Sequence, residues 1–164
     1  MRISALNAAI LLQGQIEDSI AVHGVVDAGD FGGSPGTKIY AYSTDGLGNY
    51  TVIDDANTPS LLSLPYFGFT GDPQIMQATR EWVLSPSNPW YRAGPCARGV
   101  GSSHTPGDRI WPMALISQAI TSSNADEISD SLRMLLDSDC THAPVCSPAC
   151  SPVCSAVLCC ALNK

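Results

Sequence analysis

Leu6, Ala9, Ile10, Gln13, Ile16, Ile20 and Ala21 recur near the spacing of a helix face, and the run closes at His23-Gly24, where glycine can end a helix. Residues 27–37 are rich in glycine and include Pro35, the composition of an exposed connection. β-Prone runs at 39–42 and 50–53 flank Asp45-Gly46-Leu47-Gly48-Asn49, whose glycines allow the positive φ of a tight return, so a β-hairpin is predicted. Thr58-Pro59 reads as a helix start, with Thr58 as N-cap and Pro59 at the first helical position. That helix runs through Leu61, Leu62, Leu64 and Tyr66 to about residue 69, shortened or kinked by Pro65. Asp72-Pro73 starts another, with Ile75, Met76, Thr79, Trp82 and Val83 on its apolar face and the preceding helix as its antiparallel neighbour.

Residues 85–106 hold Pro86, Pro89, Pro95 and three glycines and read as a long coil, the kind that in compact domains is functional or disordered. A helix over 110–120 follows, with Ile110, Met113, Ala114, Ser117 and Ile120 on one side. Ser123-Asn124-Ala125-Asp126-Glu127 is a capping signature for a last helix over 125–137, which buries Ile128, Leu132, Leu135 and Leu136. Trp82 is assigned to the core, and Arg80, Arg92, Arg98 and Arg109 to surface ion pairs of small worth.

Beyond residue 139 the pattern breaks. Six of the seven cysteines fall in this tail, where a Cys-Ser-Pro repeat places Cys146, Cys150 and Cys154 four apart. Zinc ligation by these with Cys140 and His142 is one reading, and a disulfide framework another. Low complexity accounts for the segment better, because Pro144, Pro148 and Pro152 break helices and small polar residues bury too little surface to offset ordering entropy. The chain therefore divides into a body, residues 1–139, and a disordered Cys/Pro/Ser-rich tail, residues 140–164.

A net charge of −7 with only eight Lys and Arg, scattered, argues against a nucleic-acid partner. Ser4 and Asn7 interrupt the apolar start, so residues 1–12 do not read as a signal peptide, and no stretch is long enough to span a bilayer.

The richest chemistry lies where the hairpin's second arm ends. Asp54, Asp55 and Asn57 crowd one loop, and such acceptors suit sugar hydroxyls, whereas a turn that caps its own backbone needs only one of them. Ligand site and capping both remain open from residue types alone. His104 sits in Gly101-Ser102-Ser103-His104-Thr105-Pro106, and a neutral imidazole can donate to one hydroxyl and accept from another. Trp90, Tyr91 and Trp111 have flat faces suited to the C–H side of a pyranose or to a core.

The blocks YAYSTDGLGNY, DDANTPSLLSLPY, GSSHTPGDRIWPMALISQAITS and LLDSD, in this order, resemble glycoside hydrolase family 125 over about residues 4–139. The resemblance implies a mostly α fold, an (α/α)6 toroid of paired helices with one β-hairpin. Twelve helices of roughly 11–12 residues with their connections exceed 200 residues, so this chain holds part of such a toroid. It also implies an inverting, metal-independent exo-α-1,6-mannosidase that needs no cofactor and acts on a mannose-containing glycan. By the same resemblance, Asp54, Asp55, Asn57 and His104 are substrate-binding residues, and Trp111, next to Pro112 at a helix start, joins them as a candidate on the strength of its flat ring. No catalytic residue is assigned, since the family's Ala-Gly-Thr-Gly and His-Glu-Ser motifs do not follow residue 139 and its catalytic aspartate belongs to an upstream segment not matched here. Adjacent carboxylates such as Asp54 and Asp55 do not readily flank a sugar from opposite faces, as inversion requires. The expected outcome is an inactive, sugar-holding chain, prone to self-association through helix faces that a whole toroid would cover.

Overall fold

A computed structural model describes residues 4–94, 97–105, 107, 109–137 and the backbone of 143–144. The fold is helix-rich, with four α-helices and short antiparallel strand pairs among the described residues. Helix α1, Ala5–His23, forms as its spacing predicts. Ser4 caps its start by accepting from Asn7 N–H at 3.3 Å, and Gly24 N–H closes its end on the Ile20 carbonyl at 2.8 Å. None of its residues is buried, and Leu6, Ile10, Leu11, Leu12, Ile16 and Val22 are exposed on all sides of the helix. A helix apolar all round is the kind that larger structures enclose.

Strand β1, Val25–Asp27, pairs with β2, Lys38–Tyr40, in the register Val26↔Ile39. The glycine-rich connection is thus a hairpin loop. It carries a 3-10 turn, Ala28–Phe31, and is closed by the Asp27 carboxylate, which accepts from the Gly29 and Gly36 N–H groups at 2.9 and 3.0 Å. This corrects the first arm of the predicted hairpin: Ile39 and Tyr40 pair backwards with β1. The arm that does meet 50–53 is β3, Ser43–Thr44, against β4, Tyr50–Thr51, with Tyr42 N–H extending the ladder to Thr51 O. The return between them has Gly46 and Gly48 at φ 71° and 102°, in line with the expectation for that turn.

The helix expected from Pro59 to residue 69 is instead a series of tight turns. Short-range bonds such as Ser63 N–H to Ser60 O and Gly68 N–H to Pro65 O replace a helical ladder. Pro65 has no N–H to propagate one, and Gly68 turns at φ 79°. The antiparallel helix pair expected here is therefore absent. Helix α2, Pro73–Val83, begins as read, with the Asp72 carboxylate accepting from Gln74 and Ile75 N–H at 2.8 and 3.1 Å. Its face docks on β2, where Thr79 Oγ1 accepts from Tyr40 N–H at 2.8 Å, and the Trp82 indole donates to Phe31 O at 3.0 Å. Val26, Ile39, Tyr40, Leu61, Leu62, Trp82, Val83 and Val100 build the main core around this contact.

The long coil over 85–106 contains an unforeseen hairpin, β5, Tyr91–Ala93, with β6, Arg98–Val100. After β7, Arg109–Ile110, come α3, Pro112–Ile120, and α4, Ala125–Asp137, the last capped by Asn124 Oδ1 on Asp126 and Glu127 N–H. The predicted faces are met in part. Ile110, Ala114 and Ser117 are buried as read, but Met113 and Ile120 are exposed while Leu115, Gln118 and Ala119 are buried; in α4 Ile128 and Leu135 are half-buried, Leu132 and Leu136 are exposed and Ser131 is buried. The α3–α4 pairing covers one side of each helix, with Met134 and Leu135 packed on Ile110 and Leu115. Arg80 and Arg98 do form ion pairs, with Glu127 and Asp130, whereas Arg92 donates to the Gly107, Pro89 and Tyr91 carbonyls.

The last described strand, β8, Ala143–Pro144, pairs with β7. The zinc-ligand candidates Cys140, His142, Cys146, Cys150 and Cys154 lie outside the described residues. No described helix is long and apolar enough to cross a membrane.

Candidate functional site

β4 ends in the loop 52–59, and the loop's carboxylates face two different ways. Asp54 is 1% exposed, its Oδ1 accepting Leu61 N–H at 2.8 Å and its Oδ2 accepting Leu62 N–H at 3.2 Å. It is the cap of the turns at 60–64, the task assigned by sequence to Thr58. Its backbone is clamped by Asn88, whose Oδ1 accepts Asp54 N–H and whose Nδ2 donates to Asp54 O, both at 3.1 Å. The same buried amide donates to Val83 O and accepts from Trp90 N–H, tying the loop to the end of α2 and the start of β5. Burial pushes the Asp54 carboxyl up to about 7, with the charge of Asp55 adding to it and the two N–H bonds opposing it.

Asp55 faces the coil 101–105. Its Oδ1 accepts from Asn57 N–H at 2.9 Å and Asn57 Nδ2 at 2.6 Å, and its Oδ2 accepts from Ser102 Oγ at 3.0 Å and Ser103 N–H at 3.4 Å. Backbone pairing brings the two segments together, Ala56 N–H donating to Gly101 O at 3.0 Å. Glycine is required at 101 because a Cβ there would collide with the Arg109 carbonyl oxygen. Ser102 Oγ further accepts from His104 N–H at 3.3 Å and Asn57 Nδ2 at 3.4 Å. The exposed His104 ring stands 6.2 Å from the half-buried Trp111 ring, whose indole N–H donates to Thr105 Oγ1 at 2.9 Å.

The fold thus gathers Asp55, Asn57, His104 and Trp111 into one cluster and turns Asp54 into the interior behind it. Trp90 lies under the Arg92 guanidinium, 5.9 Å from its centroid. Ser102, Ser103 and Asn88 were not singled out by sequence; the only hints were a serine pair before a histidine and an asparagine before Pro89. A separate groove of about 880 Å³ is lined by apolar residues including Ile16, Ile20, Leu61, Leu64 and Phe69, and none of the five predicted site residues reaches it.

Comparison with known proteins follows the same lines. A solved structure from Streptococcus pneumoniae, described as a metal-independent alpha mannosidase in a non-productive complex with alpha-1,6-mannobiose, superposes with a TM-score of 0.72 at 39% identity. The match covers 82% of this chain and 31% of that one. The Meiotically up-regulated gene 157 protein of Schizosaccharomyces pombe is 43% identical over 132 residues, 79% of this chain and 25% of the relative. The chain therefore spans between a quarter and a third of the length of these relatives. The family model for metal-independent alpha-mannosidases matches residues 4–146, and the chain belongs to that family, glycoside hydrolase family 125.

Proposed function

We propose that this chain is part of an exo-acting, inverting α-1,6-mannosidase of (α/α)6 toroid form, and that its share of the work is to hold a mannosyl unit. The observation that carries this is the cluster joining the 54–57 loop to the 102–104 coil within a stretch matched to the family from end to end. Asn57 and His104 offer polar atoms to sugar hydroxyls, and Trp111 offers an apolar ring face. Asp55 already accepts four hydrogen bonds, about the capacity of a carboxylate, so it organises the cluster and takes a sugar hydroxyl only by releasing its 3.4 Å bond to Ser103. Asp54 enters as the group that fixes the loop from behind.

The chain on its own holds sugar without cleaving it. Inversion needs a proton donor and a water-activating carboxylate roughly 6.5–9.5 Å apart across the sugar. Asp54 and Asp55 are neighbours on one loop, both buried and both engaged by donors. Exposed Leu6, Ile10, Leu11 and Leu12 on α1 supply a surface for self-association of the isolated chain.

Titration of the 164-residue chain with α-1,6-mannobiose by calorimetry, with assay of released mannose in the same cell, tests both parts. Saturable heat without release is the expected result. Turnover at the rate of ordinary glycosidases would refute the division of labour, and no heat at millimolar sugar would refute binding.

A further inference from the structure

We propose that Ser102 is the positioning residue of this site, the hydroxyl that fixes which atom of Asn57 meets a ligand and where His104 stands. The inference rests on the mannosyl-binding reading above. Ser102 is buried, so it works through other residues. A hydroxyl has one proton to donate and two lone pairs, and all three are engaged. The proton goes to Asp55 Oδ2 at 3.0 Å, and the lone pairs receive His104 N–H at 3.3 Å and Asn57 Nδ2 at 3.4 Å.

Two of these bonds cross between segments 47 and 45 residues apart in sequence, so the hydroxyl is a joint between loops and not a local turn cap. The Asn57 amide nitrogen has two hydrogens, one on Asp55 Oδ1 and one on Ser102 Oγ. Its carbonyl oxygen is thereby the group left to meet a ligand, and the site presents an acceptor there to a sugar hydroxyl. Without the serine oxygen the amide loses a restraint, Asp55 Oδ2 loses its hydroxyl donor, and the backbone at His104 loses its anchor.

The test compares the 164-residue chain with Ser102→Ala and Ser102→Thr, reading α-1,6-mannobiose affinity by calorimetry and amide hydrogen exchange by NMR. Loss of a hydroxyl bonded to a carboxylate is expected to raise Kd about tenfold in Ser102→Ala. It should also speed exchange at the His104 and Ser103 amides, while amides inside α2 keep their rates, which excludes general unfolding. Ser102→Thr, which keeps the hydroxyl, should recover most of the affinity. Wild-type affinity in Ser102→Ala together with unchanged His104 exchange would overturn the proposal. If the unaltered chain gives no heat with mannobiose, the mannosyl reading fails by itself. The exchange arm still decides whether Ser102 joins the loops, faster His104 exchange supporting it and unchanged exchange refuting it.

Discussion

Two acids sit at the junctions that hold this chain together, and their surroundings give them opposite charge preferences. Asp54, behind the site, is buried with backbone N–H groups for partners and with another acid, Asp55, next along the chain. Glu127, where α2, α3 and α4 meet, accepts from Arg80 Nη2 at 2.7 Å, Gln118 Nε2 at 2.9 Å and Ser122 Oγ. Burial works against the charge at both. At Glu127 the bonds from Ser122, Arg80 and Gln118 outweigh it and hold the carboxyl below its usual range, whereas at Asp54 no cation among the described residues answers and burial wins. A buried acid is thus a stabilising ion or a reluctant one according to whether a neighbour brings opposite charge.

The largest expected effect tests the reluctant one. The folded chain holds the Asp54 proton more tightly than the unfolded chain, so its contribution is fully present below the ordinary value of 3.8. It is lost as pH rises through about 7. A rise of about three pH units at this site corresponds to roughly 4 kcal/mol. Urea denaturation at pH 4, 5.5 and 8 should show this loss in the unaltered chain and a flatter profile in Asp54→Asn. Parallel profiles would mean the carboxyl is not the group responsible.

Next in size, Asp54→Ala at pH 5.5 strands the Leu61 and Leu62 N–H groups and should destabilise by about 3 kcal/mol, at one to three per buried donor. The turns at 60–64 should also lose exchange protection first. Arg80→Met makes Glu127 resemble Asp54. The pair is three-quarters or more buried, at 17% and 25% side-chain exposure, so a cost of about 2 kcal/mol is expected, between exposed and fully buried pairs. The sign of the pH dependence gives the sharper check. Glu127 contributes stability present above its ordinary value of 4.5 and lost as pH falls through its lowered one, and Arg80→Met should shrink that acid-side loss.

The smallest effect belongs to a third kind of buried polar group. Ser131 Oγ on α4 is buried with no hydrogen-bond partner among the described residues. Ser131→Ala removes an unmet hydroxyl and improves helix propensity, so a gain of about 0.5–1 kcal/mol should appear as a higher midpoint in thermal melting.

Much of this was legible in the chain itself. Asp72-Pro73 and Asn124 announced where α2 and α4 begin, since a short acceptor one step before a helix bonds its free N–H groups wherever it occurs. The glycines at 46 and 48 announced the β3–β4 return for an equally local reason. The motif blocks carried the family, and four of the five predicted site residues meet in one cluster.

What tertiary structure alone decided is which partner each residue meets. Thr58-Pro59 has the composition of a helix start, but the acceptor that organises 60–64 comes from Asp54, seven residues before Leu61. Ile39 and Tyr40 are β-prone in any reading, yet nothing local says they pair with Val26 and Val25 and not with the arm beyond the turn. The turn of Asp55 toward the 101–105 coil, the buried clamp of Asn88 and the joint at Ser102 depend on segments more than thirty residues apart being brought within about 3 Å. Caps and turns are written in neighbouring residues because their energies are local. The site is not, because the bonds that join its loops to one another exist only after distant backbone has packed.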